Sequence, residues 1–397
     1  MVFDAAAPTD PQMRALLLSS EFPPGPGGIG QHAYQLARHL SRLGWDIGVL
    51  SPQAYVSDAE RDAFNRRQAF GITSLPDRSA GLGWLPARLR LIKAEMGERR
   101  PALIVATGQR ALLTARGVSA AYGVPWVAVG HGSEFLSQSR LNRAMTRHAL
   151  EHATAVIAVS EYTAGLIRAA AAPRHLLVIP NAADGERFRP AMDTTHLRRR
   201  WNIGDGPVIL TVGQVSERKA QDVIIRALPR VLAEQPDATY VMAGLPTLAK
   251  PFAALAAELG VAERVRFAGV VAAEDLPAAY NLADIFALVS RRTATGDVEG
   301  YGIVVQEAAL CGVPAVVSRD CGLTEAIREG ETGLSVPPDD PEATAAALLA
   351  LLNDTPRRRE MGRRARELAQ AATWSERINE YDRAMRAVLP PRPELSR

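Results

Sequence analysis

The sequence has few cysteines, no apolar run long enough to cross a membrane and hardly any lysine. Only Cys311 and Cys321 occur among the 397 residues, and their apolar or turn contexts indicate packing residues of a reduced, cytoplasmic protein. No stretch of about 18 apolar residues occurs, which excludes a spanning helix, and the N-terminus lacks a basic-then-apolar signal sequence. Neither an Asp-x-Asp triplet nor a His/Cys cluster with ligand spacing is present, so no metal or other cofactor is expected.

Basic and acidic residues are unevenly distributed. The net charge is +3, but residues 1–190 carry 21 basic and 15 acidic side chains, whereas residues 191–397 carry 25 and 28. The excess in the first half is too small to indicate a nucleic-acid partner, although it favours an acidic or membrane-surface partner. Only Lys93, Lys219 and Lys250 are lysines, so a lysine within a motif is conspicuous.

Short β runs alternate with amphipathic helices along the whole chain. The predicted strands are Ala15–Ser20, Asp46–Leu50, Leu103–Thr107, Trp126–Val129, Ala155–Val159, Leu177–Pro180, Val208–Val212, Thr239–Ala243, Val265–Ala268, Ile285–Val289, Ala315–Ser318 and Gly333–Val336. This alternation is typical of βαβ units with parallel sheets. Because the chain exceeds what one core usually supports, we expect an α/β architecture of two facing, Rossmann-like doubly wound domains.

The polar segment 181–200, which contains Pro190, predicts a linker between the domains. The expected boundaries are residues 1–190 for the first domain and 191–372 for the second. Residues 373–397 are expected to form a C-terminal helix, whose packing against the first domain is one possibility that the sequence leaves open. In such sheets ligands bind at the carboxyl ends of strands.

Two glutamates, Glu299 and Glu307, lie in unlike contexts within one segment. The first is in a glycine-rich turn that ends at Gly302, and we expect the second about two turns into the apolar helix that follows. Glycines let a backbone approach a ligand closely, and a helix start presents N–H groups to an anion. Charge compensation at a helix start explains Glu299 alone, so the segment predicts a site for a phosphorylated ligand.

A second loop, from Gly213 to Lys219, follows a predicted strand and precedes a helix. Adjacent Arg218 and Lys219 oppose the usual preference for acids at a helix N-terminus. A bound anion would remove this conflict, because both side chains suit phosphate oxygens. The alternative is two exposed basic residues on a surface turn.

The loop Gly25–Gly30 satisfies the pattern Gly-x-Gly-x-x-Gly and therefore raises the possibility of a dinucleotide fold. Prolines crowd this turn, and the second strand ends without the acidic residue that would bind a ribose. A loop that lets a substrate approach the backbone is the better interpretation. His131, flanked by Gly130 and Gly132 at a strand end, is either structural or a hydrogen-bond partner of a substrate hydroxyl.

Residues 82–100 combine basic side chains with Trp84, Leu85, Leu89 and other apolar residues. Such a helix could rest on an anionic membrane. The alternative is a core-packed helix with an arginine-rich outer face.

The segments together resemble the retaining glycosyltransferases of family 4, which have the GT-B fold of two Rossmann-like domains. The resemblance covers nearly the whole chain. It rests on Gly27–Gly30, the His131 segment, Val159–Thr163, Ile179–Asn181, Arg187–Pro190, Gly213–Lys219, Tyr280–Asp284, Glu299–Glu307 and Gly322–Glu325.

The resemblance implies roles for residues of the second domain. Glu307 would bind the nucleotide ribose, and Lys219 would neutralise the leaving diphosphate. Glu299 would contact the transferred sugar or help organise the reaction. The donor-binding set would also include Gly300, Tyr301, Gly302 and Ile303.

Two positions in the second domain depart from the family pattern. Gln214 stands where the family has arginine, which puts one phosphate contact in doubt, and Arg218 is the candidate to replace it. Ala220 stands where the family has glycine.

For the first domain, the resemblance implies that His131 reaches the donor sugar. Gly27, Gly28, Ile29 and Gly30 would border the acceptor, and Gly28 would also lie near the donor phosphates. His131, Lys219 and Glu299 are the candidate catalytic residues.

These features predict a cytoplasmic, metal-independent, retaining glycosyltransferase that moves a sugar from a nucleotide sugar to a hydroxyl of a lipid, glycan or small molecule. Residues 298–302 resemble bacterial mannosyltransferases that use GDP-mannose, and a UDP-sugar remains the alternative donor. Rival interpretations are a sugar-nucleotide epimerase of the same fold and a non-catalytic nucleotide-sugar-binding protein. Contact with the inner face of the membrane and the oligomeric state stay open. No nucleic-acid partner is expected.

Overall fold

A computed structural model describes residues 13–76, 83–98 and 100–389, which form two units. The first consists of the described residues within Met1–Val159, Thr163–Ile179 and Ser375–Arg397, and the second of Ser160–Tyr162 and Pro180–Trp374. The second unit thus begins at Pro180 rather than at residue 191. The reason is that Phe188, within the segment predicted as a linker, packs edge-on against Tyr280 with ring centroids 5.6 Å apart.

The first unit is built on a parallel sheet. Its strands are β1 (Arg14–Ser19), β2 (Asp46–Ser51), β3 (Gly71–Ser74), β4 (Leu103–Thr107), β5 (Trp126–Gly130), β6 (Ala155–Ala158) and β7 (Leu176–Val178). Their order in the sheet is β3-β2-β1-β4-β5-β6-β7. Every pairing is parallel. The chain therefore switches direction across the sheet between β1 and β4.

Helices connect these strands, and all of them except Asp58–Asn65 bury side chains. They are α1 (Gly28–Arg42), α2 (Asp58–Asn65), α3 (Trp84–Glu98), α4 (Gln109–Tyr122), α5 (Arg140–Glu151) and α6 (Glu161–Ala170). The core includes Leu16, Ile104 and Trp126, each at most 1% exposed. Strand β3 was not predicted, because its four residues lie at the sheet edge and none of them is buried.

The second unit repeats this plan with a second parallel sheet. Its strands are β8 (Val208–Val212), β9 (Thr239–Ala243), β10 (Val265–Gly269), β11 (Ile285–Leu288), β12 (Ala315–Ser318) and β13 (Gly333–Val336), in the order β10-β9-β8-β11-β12-β13. Here the switch lies between β8 and β11, which pair directly. The expected α/β architecture of two doubly wound parallel sheets is confirmed.

The helices of the second half complete the fold. They are α7 (Thr195–Arg200), α8 (Gln221–Glu234), α9 (Ala249–Glu258), α10 (Leu276–Leu282), α11 (Ile303–Leu310), α12 (Pro341–Leu352), α13 (Thr355–Gln370) and α14 (Trp374–Ala387). After its first residue, α14 belongs to the first unit. Its Tyr381 hydroxyl lies 2.9 Å from Nε2 of His32, and the indole of Trp45 donates to Asp382 at 2.7 Å.

The described part of the chain contains no helix that is both long and apolar enough to span a bilayer. Within the same residues, no three His, Cys, Asp or Glu side chains cluster as metal ligands would. Cys311 and Cys321 are buried thiols, in agreement with their prediction as packing residues.

Candidate active site

The loop after β8 carries the basic pair of the second unit. In a doubly wound sheet the crevice beside the switch point is the usual ligand site, and β8 borders that point. Gly213 directly follows the strand with φ 144°, and a Cβ there would lie 3.1 Å from Cε of Lys219. A glycine is therefore needed for the lysine side chain to fold back beside the strand end.

Arg218 and Lys219 both contact the same carboxylate. Nζ of Lys219 lies 2.6 Å from Oε2 of Glu299, and Nη1 of Arg218 contacts that oxygen too. Nε of Arg218 also lies 3.1 Å from Oδ2 of Asp297. Two cations thus contact two carboxylates. These carboxylates compensate the positive charge of Arg218 and Lys219 near the N-terminus of α8, where basic residues are otherwise unfavourable. Since Lys219 is only 7% exposed, the interpretation as an exposed surface pair is wrong for this residue.

The environment fixes the charge state of this cluster. Burial alone would raise the pKa of Glu299, but Arg218 and Lys219 outweigh it and lower that pKa to about 2. Burial lowers the pKa of Lys219, against the opposing effect of Glu299. Glu299 therefore stays ionised at every physiological pH, with the two cations held against it.

Backbone contacts hold the glycine-rich turn in place. Oγ of Ser160 donates to the carbonyl of Gly300 at 2.6 Å, and the amide of Gly322 donates to the carbonyl of Glu299 at 2.9 Å. A Cβ on Gly322 would lie 1.9 Å from the Gly300 oxygen. Ser160 and Gly322 thus hold the backbone of the turn that carries Glu299, and the sequence pattern did not single out either of them for this role.

The turn ends at Gly302, where α11 begins. Gly302 adopts φ 82°, and a Cβ there would lie 2.4 Å from Cδ2 of Leu323. Because the helix starts at Ile303, Glu307 lies four residues on, slightly more than one turn into it. The expected two turns were therefore too many. Tyr301, between the two glycines, is buried.

Glu307 is the buried acid of α11. The hydroxyl of Tyr280 donates to its Oε2 at 2.5 Å. Burial raises the pKa of Glu307, and the hydrogen bond from Tyr280 partly offsets that effect. One carboxylate oxygen is thus held by the phenol, which orients the carboxylate within the apolar helix.

The two departures from the family pattern have different structural consequences. Gln214 is exposed and donates from Nε2 to Oγ1 of Thr247 at 2.9 Å. Ala220 precedes α8 with φ 54° and ψ 38° in the left-handed region. A residue with a Cβ costs about 1–2 kcal/mol there, which explains the glycine of the family at this position.

In the first unit, the glycine-rich loop after β1 is shaped by Glu21. The carboxylate Oε1 of Glu21 accepts from the amide of Gly30 at 3.0 Å, within the first turn of α1. A Cβ on Gly27 would lie 2.2 Å from that oxygen. Gly28 is exposed, and a Cβ there would meet nothing within 4 Å. A carboxylate of the chain itself thus already satisfies one backbone amide at the start of α1.

The remaining glycines of this loop are explained by close packing of the chain on itself. A Cβ on Gly25 would lie 2.4 Å from the carbonyl oxygen of Ala54, and one on Gly30 would lie 3.1 Å from the backbone of Phe22. The dinucleotide interpretation of this loop is therefore not needed to account for its glycines. Ile29 lies half-buried in the first turn of α1.

His131 follows β5 and is held by neighbours within its own unit. Its Nε2 lies 2.5 Å from Oγ1 of Thr107, and its amide donates to Oε1 of Glu134 at 2.6 Å. Its ring packs edge-on against that of His32, with centroids 4.9 Å apart. Burial lowers the pKa of His131 to about 4, so its imidazole is neutral at pH 7.

The structure thus groups the predicted residues into two sets. Gln214, Arg218, Lys219, Glu299, Gly300, Tyr301, Gly302, Ile303 and Glu307 belong to the second unit, while Gly27, Gly28, Ile29, Gly30 and His131 belong to the first. Within the second unit, Arg218, Lys219 and Glu299 are in direct contact. Sequence reasoning missed Glu21, Tyr280 and Asp297 as partners of these groups, since only the fold brings them together.

Comparison with known proteins gives two family matches along the chain. The model described as Glycosyltransferase Family 4 matches residues 26–187, and the one described as Glycosyl transferases group 1 matches residues 193–368. The two matches adjoin, and together they cover most of both units.

A relative from Mycolicibacterium smegmatis is 33% identical over 360 residues, which are 87% of this chain and 91% of the relative. It is named a GDP-mannose-dependent alpha-(1-6)-phosphatidylinositol monomannoside mannosyltransferase. A protein of the same name from Mycobacterium tuberculosis is 30% identical, over 90% of this chain and 94% of that protein.

Among solved structures, Anabaena HepE in complex with UDP and glucose superimposes with a TM-score of 0.79 at 22% identity. The superposition covers 94% of this chain and 100% of HepE. At this identity the likeness concerns the fold, which is GT-B. With both sheets, both family matches and near full-length relatives in agreement, the chain belongs to the family 4 glycosyltransferases and uses a nucleotide sugar.

Proposed function

We propose that the protein transfers mannose from GDP-mannose to an acceptor hydroxyl, with retention of the anomeric configuration and without a metal ion. The observation that carries the proposal is the buried contact of Lys219 and Arg218 with Glu299 beside the strand switch of the second unit. The choice of GDP-mannose is supported by the name of the relative that is 33% identical over 87% of this chain. A UDP-sugar is the alternative donor.

The chemistry of sugar transfer explains why two cations belong at this position. Breaking a sugar–phosphate bond builds negative charge on the leaving diphosphate and positive charge on the sugar ring. Preorganised cations near the leaving group stabilise the transition state without reorganisation during the reaction. In the proposal, Lys219 and Arg218 bind the diphosphate, and Arg218 supplies the contact that Gln214 cannot make.

Glu299 has a complementary role in this proposal. It holds both cations beside β8, and its pKa of about 2 keeps it ionised. An ionised carboxylate can accept hydrogen bonds from sugar hydroxyls and favours the positive charge that develops on the ring. The turn amides from Gly300 to Gly302 lie next to it in sequence and are proposed to meet the sugar and the phosphates.

Glu307 is proposed to bind the ribose of the nucleotide. Tyr280 engages one of its oxygens, so the other oxygen is available to accept the two neighbouring ribose hydroxyls. Because Tyr280 fixes the carboxylate, little side-chain freedom would be lost on binding. His131, neutral at pH 7, is proposed to hydrogen-bond the donor sugar.

We further propose that α3 contacts an anionic membrane surface. Leu85 and Leu89 lie one helical turn apart and are 50% and 59% exposed. Arg90 and Lys93 on the same helix are exposed as well, while Ile92 and Met96 are its buried residues. The helix therefore combines an inner apolar side with an outer side of leucines and basic residues, as expected of an interfacial helix.

A donor screen tests the central proposal. Thermal unfolding would be followed with GDP-mannose, UDP-glucose and ADP-glucose, each with magnesium and with EDTA. We expect GDP-mannose to raise the melting temperature most, equally in both conditions. A larger increase in melting temperature with UDP-glucose would show that the donor is a UDP-sugar instead. A requirement for magnesium would contradict metal independence.

The product of the reaction tests the stereochemistry. With phosphatidylinositol monomannoside offered as the acceptor, an α-linked mannoside in the proton NMR spectrum is the expected result. A β-linked product would contradict retention. Release of an epimerised nucleotide sugar without any acceptor would favour the epimerase interpretation instead.

A further inference from the structure

The first unit contains a narrow recess that none of the predicted site residues lines. It has a volume of about 300 Å³, counting space open to solvent. It is lined by Leu18, Ser19, Ser20, Leu50, Pro52, Leu75, Arg88, Arg110, Ala111 and Thr114. These residues lie in or after β1, β2 and β3, at the carboxyl ends of the strands, and in α3 and the first turns of α4. The recess therefore lies beside the strand switch, where doubly wound sheets bind ligands.

Two arginines, Arg88 and Arg110, line this recess, and none of its lining residues within the described ranges is acidic. Arg88 is held in place, because its Nε donates to the carbonyl of Pro76 at 2.5 Å and its guanidinium lies 5.2 Å from the ring centroid of Trp84. Arg110 is exposed, and its side chain has no hydrogen bond or ion pair to any residue within the described ranges. One cation is thus preorganised and the other is available to a ligand.

Ser20 adds a buried hydroxyl to the recess. Its Oγ is shielded from solvent and has no hydrogen-bond partner among the described residues. Its amide, by contrast, donates to the carbonyl of Thr107 at 3.0 Å. A buried polar group without a partner costs free energy, and a ligand in the recess would supply the missing hydrogen bond.

The floor of the recess is apolar. Leu18, Leu50 and Leu75 are each at most 8% exposed, and together they exclude water from one side. Electrostatic interactions with the arginines are stronger beside such a wall than in bulk water. The arrangement suits a compact anion with several acceptor oxygens better than a neutral sugar ring.

We propose that this recess binds a phosphate group carried by the acceptor. The inference rests on the proposed function, since only a transferase needs an acceptor. Arg88 and Arg110 each present a planar fork that matches phosphate oxygens, and the Ser20 hydroxyl donates to a third oxygen. The phosphate belongs either to a soluble phosphorylated acceptor or to the headgroup of a phospholipid.

Binding of a simple probe to the full-length chain tests the site. Glycerol 3-phosphate would be titrated calorimetrically at constant ionic strength in the presence of saturating GDP, so that the cations of the second unit are occupied. Both Arg88→Gln and Arg110→Gln are expected to weaken binding about ten- to hundredfold, the scale of one lost charge-assisted hydrogen bond. Arg66→Gln, which changes an exposed arginine outside the recess, is the matched control and should leave the affinity unchanged.

The source of the phosphate is distinguished by a second arm. Phosphatidylcholine vesicles with and without phosphatidylglycerol present the same glycerol phosphate group in a lipid. The site is assigned to a lipid headgroup if Arg110→Gln, alone or combined with Arg88→Gln, abolishes the phosphatidylglycerol-dependent binding and Arg66→Gln does not. If these variants lose binding of glycerol 3-phosphate but keep the binding to vesicles, the site is assigned to a soluble acceptor.

Failure of this inference is separable from failure of the proposed function. If wild type and both variants bind the two probes equally, or if none binds either probe, the recess is not a phosphate site. The donor-binding measurement is made on the same proteins with GDP alone. Normal GDP binding in all of them would leave the transferase proposal intact, whereas its absence in wild type would overturn that proposal.

Discussion

Replacement of Lys219 by methionine separates catalysis from stability at the proposed site. Methionine has a similar length but no charge, and the side chain it replaces is 7% exposed. Burial lowers the pKa of Lys219, so keeping this lysine charged in the folded protein costs free energy. The methionine variant does not have this cost. The variant also loses the contact with Glu299, although Arg218 still holds that carboxylate.

The magnitudes follow from these contacts. The pKa of Glu299 is lowered from 4.5 to about 2 by two cations, which corresponds to about 3 kcal/mol of stabilisation at neutral pH. Losing one of the two cations removes part of this stabilisation. The free-energy cost of burying the charged lysine disappears at the same time, which offsets part of the loss. We therefore expect the free energy of unfolding to change by no more than about 2 kcal/mol. In contrast, the loss of one electrostatic donor to the transition state costs about 10²–10³ in kcat.

The assay measures initial rates of mannose transfer at saturating GDP-mannose, with chemical denaturation of the same preparations. Lys250→Met is the matched control, because Lys250 is an exposed lysine of the same unit. It should retain wild-type activity. If Lys219→Met folds normally and keeps its rate within tenfold of wild type, the proposed role of the lysine is wrong.

Three further predictions concern other groups. Glu307→Gln should raise the KM for the donor about tenfold with little change in kcat, since one ribose hydrogen bond weakens; an unchanged KM would remove Glu307 from the ribose site. Because its pKa is lowered, Glu299 stabilises the fold above pH 4.5, and this contribution is lost as the pH falls toward 2. Chemical denaturation at several pH values would measure this loss in the wild type, and the variant Glu299→Gln should lack this pH dependence. Leu85→Ser combined with Leu89→Ser should weaken binding to anionic vesicles at least about tenfold, since each leucine buries apolar area; equal binding in a flotation assay would contradict a membrane role for α3.

Most of the strands could be predicted because their signal is local. Buried parallel strands such as β4 and β8 read as continuous apolar runs bounded by polar residues. Strand β3 could not be found in this way, since its four residues lie at the sheet edge and none of them is buried. Its place is set by pairing with β2 through the register Gly48 to Gly71, which is a contact distant in sequence.

In the candidate site too, some features could be predicted from local sequence and others depend on contacts between distant residues. Residue chemistry pointed to Lys219 and Glu299, because a basic pair and a glycine-rich turn are unusual in their local settings. Their contact with each other spans 80 residues and could not be read from spacing. The partner of Glu307 was missed for a related reason, since Tyr280 belongs to another helix.

The boundary between the units was also hidden from sequence reasoning. The sequence predicts a polar linker at residues 181–200, yet Phe188 within it is only 2% exposed and packs against Tyr280. Besides this aromatic contact, Arg187 donates to the carbonyl of Ala273 and Asn281 donates to that of Arg189, so the segment belongs to the second unit. The sequence shows that the aromatic residue is present but not what it packs against.

The interrupted chain path of the first unit has a consequence for biosynthesis. His32 and Trp45 hydrogen-bond to Tyr381 and Asp382, which are 349 and 337 residues further along the chain. A ribosome synthesises the whole second unit before these partners emerge. During synthesis the first unit therefore lacks its C-terminal helix, and the part of its core that this helix covers stays exposed. The second unit is continuous in sequence except for three residues, so it can fold before the first unit is complete.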